Sequence, residues 1–288
     1  QATPSSILQH RPPHKPSKRH RKMDDAKRRR LDAKDTDGGA DSAEGVVHVW
    51  LVRHAETENN ELHRRLGVKR GVLGAIRDQY HRERLSDPGL TKLGVEQVAK
   101  LPEHPALKKL LSPQRPVQLF ASPFSRAIQT AAPLQRVLLG TPRVILKPEL
   151  AEIGGLYRHA DDRLEQLPGM TPAELTRAFP DVVLDASEVS EKGWWADAEE
   201  EDPENCKSAA GCPTSWSRVE AVAKWIRQLP PGDVVIVGHG LFFGRLVPTL
   251  LGTSRNVSAE HGNTSVTHLE LNRESTNIHC VNAMSVVE

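Results

Sequence analysis

The sequence has few cysteines, few aromatic residues and no long apolar run. Its three cysteines, Cys206, Cys212 and Cys280, are odd in number and sparse, which argues against a framework of disulfide bonds and favours a reducing compartment. No apolar stretch approaches the roughly 18 residues that a membrane span needs, and the first residues lack the apolar segment of a secretory signal. These absences predict a soluble, intracellular protein of the cytoplasm that has no membrane partner.

Positive charge is concentrated in the first 46 residues. The whole chain has 39 Lys and Arg against 37 Asp and Glu, a formal net charge of +2. Residues 1–46 hold 11 of the basic and 7 of the acidic residues, and the segment 11–30 alone holds ten basic ones. This segment also contains prolines and few large apolar side chains, so burial cannot offset the entropy of ordering it. Residues 1–45 are therefore predicted to be a disordered basic tail and linker.

Two interpretations of the basic tail are possible, and the rest of the chain is interpreted as one domain with insertions. The tail is either a solvated segment, which we favour, or an arm that carries a nuclear address or contacts nucleic acid. Residues 46–288 are long enough to bury one substantial core, with insertions expected near 59–87 and 181–211. Both insertions are interpreted as surface structure, with Trp194 and Trp195 packing a loop against the core. Part of each insertion is expected to form the rim of the ligand site.

Short apolar runs alternate with amphipathic segments along this domain. Strands bounded by Pro, Gly or Asp are predicted at 46–52, 117–121, 144–147 and 233–237, with a strand at 264–271 pairing with 278–282. Helices are predicted at 91–101, 125–139 and 215–229. The alternation predicts an α/β fold of three αβα layers with a mainly parallel central sheet. In such folds ligands bind beyond the carboxyl ends of the strands.

Polar side chains follow three of the predicted strands. Arg53 and His54 come after the first strand, Arg126 lies just past the second, and His239 and Gly240 follow the strand at 233–237. A guanidinium fork binds phosphate through two hydrogen bonds, and a backbone amide at a helix start adds another donor. Neutral imidazole is a nucleophile that can attack phosphorus. The pattern therefore predicts a phosphoryl-transfer site in which two arginines and the Gly240 amide cradle the phosphate.

Six segments of the chain together resemble the histidine phosphatase superfamily, the phosphoglycerate-mutase-like proteins. In chain order they are LVRHAETENN, LTKLGVEQV, ASPFSRAIQTA, LAEIGG, VVIVGHG and HGNTSVTHLEL. Each segment alone is a weak signal, but the ordered set is specific and spans about five-sixths of the chain. The resemblance implies a phosphoglycerate-mutase-like fold and a metal-independent phosphatase that needs no cofactor.

The resemblance also implies a role for each matched residue. His54 corresponds to the histidine that is phosphorylated, and Arg53 to the arginine that clamps the phosphate. Arg126 corresponds to the second phosphate-binding arginine. His239 corresponds to the second histidine, which stabilises the group in transfer.

Four further positions carry alternatives. Glu152 occupies the position of the family's proton donor, with Glu149 three residues away as the alternative acid. Thr57 and Asn60 match positions that touch the phosphate, although turn or capping roles would also explain them. Ala55 replaces the usual glycine of the first motif, which would matter if the backbone there needed a positive φ angle.

Three functions are compatible with these residues. The favoured one is a phosphomonoester hydrolase that acts through a phosphohistidine intermediate at His54. Phosphoglycerate mutases of this family usually continue after the acid with an RHYG-like stretch, whereas IGGLY follows Glu152 here, so a mutase is the second choice. The third is a non-catalytic phospho-ligand-binding or adaptor protein. The expected partner is a small phosphorylated metabolite, with a phosphoprotein as the alternative.

Overall fold

A computed structural model describes residues 45–68, 74–111, 117–138, 140–160, 163–198, 201, 206, 212–272 and 275–284. Residues from Gly45 onward form one unit by their contacts. The predicted tail, residues 1–45, lies outside the described residues apart from Gly45 itself.

A mainly parallel sheet organises the described part of the domain. The strands are β1 (Val47–Arg53), β2 (Val117–Ala121), β3 (Val144–Leu146), β4 (Tyr157–Ala160), β5 (Arg163–Gln166), β6 (Leu184–Asp185), β7 (Gly232–Gly238), β8 (Val266–Leu271) and β9 (Thr276–Ala283). Seven of them form one sheet in the order β6-β3-β2-β7-β1-β8-β9, and β4 pairs with β5 separately. Neighbours from β6 to β1 are parallel, whereas β8 and β9 add two antiparallel pairings beyond β1.

Helices cover both faces of this sheet. They are α1 (Glu58–Arg65), α2 (Ala75–Glu83), α3 (Lys92–Lys100), α4 (Lys108–Leu111), α5 (Ser125–Val137), α6 (Pro172–Ala178), α7 (Pro213–Gln228) and α8 (Gly240–Leu250). Within the described ranges, none of these helices has the length and apolar character needed to cross a membrane.

Alternation along β1 explains the three layers. Successive side chains of a strand point to opposite faces, and β1 is apolar at both sets of positions. Val49 and Leu51 belong to a core cluster that they share with α7 and α8. Trp50 and Val52 belong to a second cluster, on the other face, that they share with α5. A strand buried on both sides is typical of a parallel sheet between two helical layers, so the predicted αβα fold is confirmed.

The structure confirms most of the predicted elements and adds others. Every predicted strand and helix is present within a few residues of its expected bounds. The sequence reasoning missed α4, α6, α8, β6 and the β4–β5 hairpin. α8 was missed because its segment GLFFGRLVPTL begins with Gly and contains Pro248, both of which are poor helix formers. Burial overrides this weak propensity, since the helix places most of its side chains in the core.

The cysteines correct one expectation. Cys206 and Cys212 form a disulfide across six positions of sequence, with their Cα atoms 4.5 Å apart, while Cys280 is free. The sequence argued against a framework of disulfide bonds, whereas the structure contains one such bond. The physical reason is that Cys206 is fixed beside the start of α7, where its carbonyl accepts a hydrogen bond from Arg245. A count of three cysteines does not reveal this proximity.

The tryptophan pair fixes the second insertion to the core. Trp194 and Trp195 are both buried, and the ring of Trp194 packs edge-on against Phe124, 4.7 Å between centroids. Trp195 lies against Gly155, where a Cβ atom would come within 2.4 Å of the indole ring. The packing interpretation of these tryptophans is thus confirmed.

We expect Gly155→Ala to lower the free energy of unfolding by more than Gly140→Ala does. Both glycines have positive φ angles, +65° and +80°, so both substitutions introduce backbone strain of about 1–2 kcal/mol. Only Gly155 has a ring in the way, whereas nothing lies within 4 Å of a Cβ at Gly140. Overpacking should add about 1–3 kcal/mol at Gly155. Urea unfolding of the two variants measures the difference, and equal losses would contradict the packing described for Trp195.

Candidate active site

The carboxyl ends of β1, β2 and β7 meet at one edge of the sheet, and a cavity of about 170 Å³ opens there. Because these strands are adjacent and parallel, the residues that follow them are brought together despite their distance in sequence. Residues that line the cavity include Arg53, His54, Thr57, Asn60, Arg126 and Glu152. The cavity therefore gathers six of the eight residues that the sequence analysis singled out.

His54 is buried and its tautomer is fixed by its surroundings. Its Nδ1 atom lies 2.7 Å from the carbonyl oxygen of Ala55. A carbonyl can only accept, so Nδ1 carries the proton and Nε2 keeps its lone pair. Burial lowers the pKa of His54 well below its ordinary value, and the charges of Arg126 and Arg53 lower it further. The imidazole is therefore neutral near pH 7 and suited to act as a nucleophile.

Arg53 reaches the cavity from the last position of β1. Its Nη1 donates to the His261 carbonyl at 2.6 Å, and among the described residues its buried Nε finds no hydrogen-bond partner. A Cβ atom on residue 240 would lie 3.1 Å from this Nε, so Gly240 allows the close approach. An unsatisfied buried guanidinium nitrogen is a donor in need of an acceptor, which a phosphate oxygen can supply.

Arg126 enters the cavity from the first turn of α5. Its guanidinium lies over the Phe124 ring, 4.0 Å from the centroid, and its Nη1 is 3.7 Å from Asp87. Burial lowers the pKa of Arg126 to about 10, an effect that Asp87 and Glu152 partly oppose. Asp87 also accepts hydrogen bonds from the backbone and hydroxyl groups of Ser125, so it caps α5 and positions the arginine together.

His239 lies behind the cavity wall, next to His54. The two ring centroids are 5.3 Å apart, and the His239 side chain is fully buried. Its Nε2 is 2.8 Å from the Ser122 hydroxyl, while its Nδ1 has no partner among the described residues. Burial lowers its pKa well below the ordinary value, and Arg126 adds to this. His239 therefore lies beside His54 without lining the cavity.

The structure distinguishes the two candidate acids. Glu152 lines the cavity, and its carboxylate accepts hydrogen bonds from the backbone amides of Ile153, Leu241 and Phe242 at 2.8, 3.2 and 2.9 Å. Two of those amides belong to the first turn of α8, which favours negative charge. Glu149 instead lies on the surface 3.9 Å from Lys147 and lines a different cavity. Glu152 is the carboxylate that can reach a ligand beside His54.

Thr57 and Asn60 line the cavity but also cap α1. The Thr57 hydroxyl accepts from the Asn60 amide, and the Asn60 side chain accepts from the Thr57 amide, which is a reciprocal capping box. The Asn60 carboxamide oxygen also accepts from Asn263 at 3.2 Å. A glycine is not required at position 55, because the backbone of Ala55 does not have a positive φ angle. The described non-glycine residues that do are Thr141, Thr264 and Asn282.

The first insertion forms the rim of the cavity. Asn59 of α1 and Tyr80 of α2 line it together with Arg84, whose guanidinium lies 4.1 Å from the centroid of the Tyr157 ring. The rim expectation is confirmed for residues 59–87. It is wrong for the described part of 181–211, which does not line this cavity, because its tryptophans are occupied in the core.

Three residues outside the predicted set position the site. Asp87 orients Arg126, Ser122 contacts His239, and Asn263 donates to the His54 carbonyl at 3.0 Å. Ser122 and Asn263 stand inside two of the segments quoted above, ASPFSRAIQTA and HGNTSVTHLEL, so their neighbours were a signal. Asp87 lies in a charged insertion without a recognisable motif, and only the fold brings it to Arg126.

Comparisons with known proteins agree with this architecture. A sequence model described as the histidine phosphatase superfamily (branch 1) matches residues 49–284. None of the curated proteins searched matches the chain significantly.

Several solved structures match most of the chain at low identity and with TM-scores below 0.5. The alpha-ribazole phosphatase from Shigella flexneri is 21% identical with a TM-score of 0.47, over 84% of this chain and 100% of that chain. A phosphoserine phosphatase from Entamoeba histolytica is 19% identical with a TM-score of 0.45, over 83% and 98% of the two chains. A mycobacterial glucosyl-3-phosphoglycerate phosphatase is 20% identical with a TM-score of 0.45, over 83% and 100%.

The buried imidazoles of His54 and His239 predict how the free energy of unfolding depends on pH. His54 and His239 both have lowered pKa values in the folded state, whereas in the unfolded chain each has a pKa of about 6.5. The unfolded state therefore binds more protons below that pH, and stability falls as pH falls. As the pH falls below about 6.5, each imidazole should lower the free energy of unfolding by up to about 1.4 kcal/mol per pH unit.

Urea unfolding between pH 7 and pH 5.5 measures this dependence. We expect His239→Asn to have a shallower loss than the wild-type chain, because one of the buried imidazoles that destabilise the fold at low pH is gone. Identical slopes for the two proteins would show that His239 is not buried in its neutral form.

Proposed function

Because the chain belongs to branch 1 of the histidine phosphatase superfamily, we propose that it hydrolyses phosphate monoesters through a phosphohistidine formed at His54. The observation that carries this proposal is the convergence of two neutral imidazoles and two guanidinium groups. The His54 and His239 rings are 5.3 Å apart, and both Arg53 and Arg126 act on the pKa of His54. Such a pocket attracts a phosphoryl group and leaves the nucleophile unprotonated.

The reaction follows from the positions of these groups. The lone pair on His54 Nε2 attacks phosphorus, and the bond to the ester oxygen breaks while Arg53 and Arg126 hold the equatorial oxygens. The negative charge of the bound phosphate favours a proton on the neighbouring Glu152, which then donates it to the departing oxygen. The resulting carboxylate then takes a proton from water, which attacks the phosphohistidine and releases inorganic phosphate. His54 returns to its neutral form.

A small substrate suits the cavity best. Its volume of about 170 Å³ lies below the roughly 300–1,000 Å³ of pockets that hold drug-sized ligands. The rim adds a third cation, Arg84, near the phosphate-binding pair. We therefore favour a small phosphorylated metabolite with a second acidic or polar group over a phosphoprotein.

No observation favours the mutase or the binding-protein alternative over a phosphatase. A mutase would isomerise phosphoglycerates faster than it releases phosphate from them. A binding protein would retain phosphate affinity without turnover. Both outcomes are visible in a single assay of phosphate release and product identity.

The sequence and the cysteines bear on the cell compartment in which we propose that the protein is found. The sequence predicts an intracellular protein of the cytoplasm, with a nuclear address in the basic tail as the alternative. The Cys206–Cys212 disulfide favours an oxidising compartment instead, because such bonds are rare in the cytosol.

His54→Ala should abolish hydrolysis of an aryl phosphate, with a loss of at least about 10⁴-fold, since the nucleophile that forms the covalent intermediate is removed. Wild-type protein quenched during turnover should contain phosphate in an acid-labile, alkali-stable linkage that is missing from the variant. EDTA should leave the turnover unchanged, because the chemistry uses side chains alone. Wild-type turnover in His54→Ala, or its loss on chelation, would overturn the proposal; thermal unfolding checks that the variant is folded.

Glu152→Gln should slow hydrolysis of an alkyl phosphate much more than that of a nitrophenyl phosphate. The alkoxide is a poor leaving group and needs the proton, whereas nitrophenolate departs without one. The expected loss on the alkyl ester is about 10²–10⁴-fold, the usual contribution of a general acid. Glu149→Gln is the matched control and should retain the wild-type kcat for both esters. Equal losses with the two substrates would remove Glu152 from the role of proton donor.

A further inference from the structure

Three histidines meet on one face of the sheet, at the opposite end of β1 from the phosphate site. His48 lies on β1, His268 on β8 and His279 on β9. One ligand-capable atom from each of them lies within 4.8 Å of the others. His48 precedes His54 by six residues of extended strand, a distance of roughly 20 Å at about 3.3 Å per residue. The cluster is therefore separate from the cavity described above.

Strand register explains why these side chains converge. In the antiparallel pairing of β1 with β8, His48 stands opposite Glu270 and Trp50 stands opposite His268. Residues two apart on a strand share a face, so both cross-strand pairs project from the same side. His279 joins them from the neighbouring strand β9. The arrangement thus depends on three strands, including the last strand of the sheet.

The polar atoms of the cluster face one another. His268 Nε2 lies 3.4 Å from His48 Nδ1. The Glu270 carboxylate is 3.1 Å from His279 Nε2 and 3.9 Å from His48 Nδ1. Its other oxygen accepts a hydrogen bond from Asn277 at 3.0 Å, which orients the carboxylate toward the imidazoles. Three imidazole nitrogens and one carboxylate oxygen are therefore grouped within a few ångströms.

One side of the histidine cluster packs on buried rings, and the other side is partly exposed to solvent. The His268 ring is sandwiched between Trp50 and His279, with centroid distances of 4.1 and 4.2 Å and nearly parallel planes. Trp50 and His268 are buried, whereas the His48, Glu270 and His279 side chains retain 22%, 26% and 35% of their exposure. An ion could reach the group from solvent, and the stacked floor would limit how far the ligands move.

We propose that His48, His268 and His279, with Glu270, form a zinc-binding site. Zn²⁺ prefers four nitrogen, sulfur or oxygen ligands in a tetrahedron, at about 2.0–2.1 Å from imidazole nitrogen. That geometry requires neighbouring ligand atoms about 3.4 Å apart, which the His48–His268 pair already meets. The more exposed His279 and Glu270 need only side-chain rotation. Ca²⁺ and Mg²⁺ prefer oxygen ligands and do not suit a set of three imidazoles.

Zinc at this position would tie three strands together. Its ligands come from β1, β8 and the edge strand β9, so binding would oppose the separation of β9 from the sheet. The site stabilises the folded chain and takes no part in turnover. Its success or failure is therefore independent of the phosphatase proposal.

Zinc titration of the full chain, stripped with EDTA and dialysed, tests the proposal. Calorimetry should show one high-affinity Zn²⁺ per chain. With free zinc about 100-fold above the Kd, the melting temperature should rise by about 5–10 °C. His279→Ala and His48→Gln should each weaken zinc binding by at least about 10–100-fold. Loss of a residue that only hydrogen-bonds to a metal ligand already costs that much, and these two residues are proposed as ligands themselves. Both side chains are partly exposed, so these variants should remain folded.

The histidines of the tail provide the matched control, because His10, His14 and His20 can also bind metal. A full chain with these three changed to alanine should keep the high-affinity site and the melting shift. Zinc affinity that is lost only in the tail variant, or that is equal in wild type, His279→Ala and His48→Gln, would overturn the proposal. So would the absence of any zinc-dependent rise in melting temperature.

Discussion

The active site depends on the burial of positive charge at the end of a parallel sheet. Arg126 is buried and Arg53 is half-buried, and desolvation lowers the pKa of each. Two protonated histidines in the same place would add repulsion that the few nearby acids could not offset. The imidazoles instead remain neutral, and Asp87 and Glu152 oppose part of the desolvation of the arginines. The positive charge in the pocket is therefore only partly compensated, and a bound anion would compensate the rest.

The second insertion supports this pocket from outside. Arg218 of α7 donates to the carbonyls of Glu149 and Ala151 at 2.9 and 2.6 Å, and it pairs with the buried Glu201 at 2.8 Å. Glu201 in turn accepts from the Gly154 amide at 2.9 Å. These contacts hold the turn that carries Glu152 on both sides. A segment that does not line the cavity therefore fixes the position of the acid within it.

Local patterns predicted the parts of the site that sit on regular elements. β1 is apolar on both faces, so its burial and the placement of Arg53 and His54 at its carboxyl end follow from the sequence alone. Asp87, which pairs with Arg126, and the disulfide-bonded Cys206 and Cys212 have neighbours that carry no motif. Such contacts result from the packing of separate segments, and a single sequence contains no local signal for them.

β1 also shows how one residue type acquires opposite partners at its two ends. At the carboxyl end, His54 lies among guanidinium groups, whose charge disfavours a bound cation and favours an anion. At the amino end, His48 faces the Glu270 carboxylate and two further imidazoles, all of which can donate electron pairs to a metal. Roughly 20 Å of strand separates the two environments, more than twice the screening length of about 8 Å at physiological salt. The charges at one end therefore have little influence on what binds at the other.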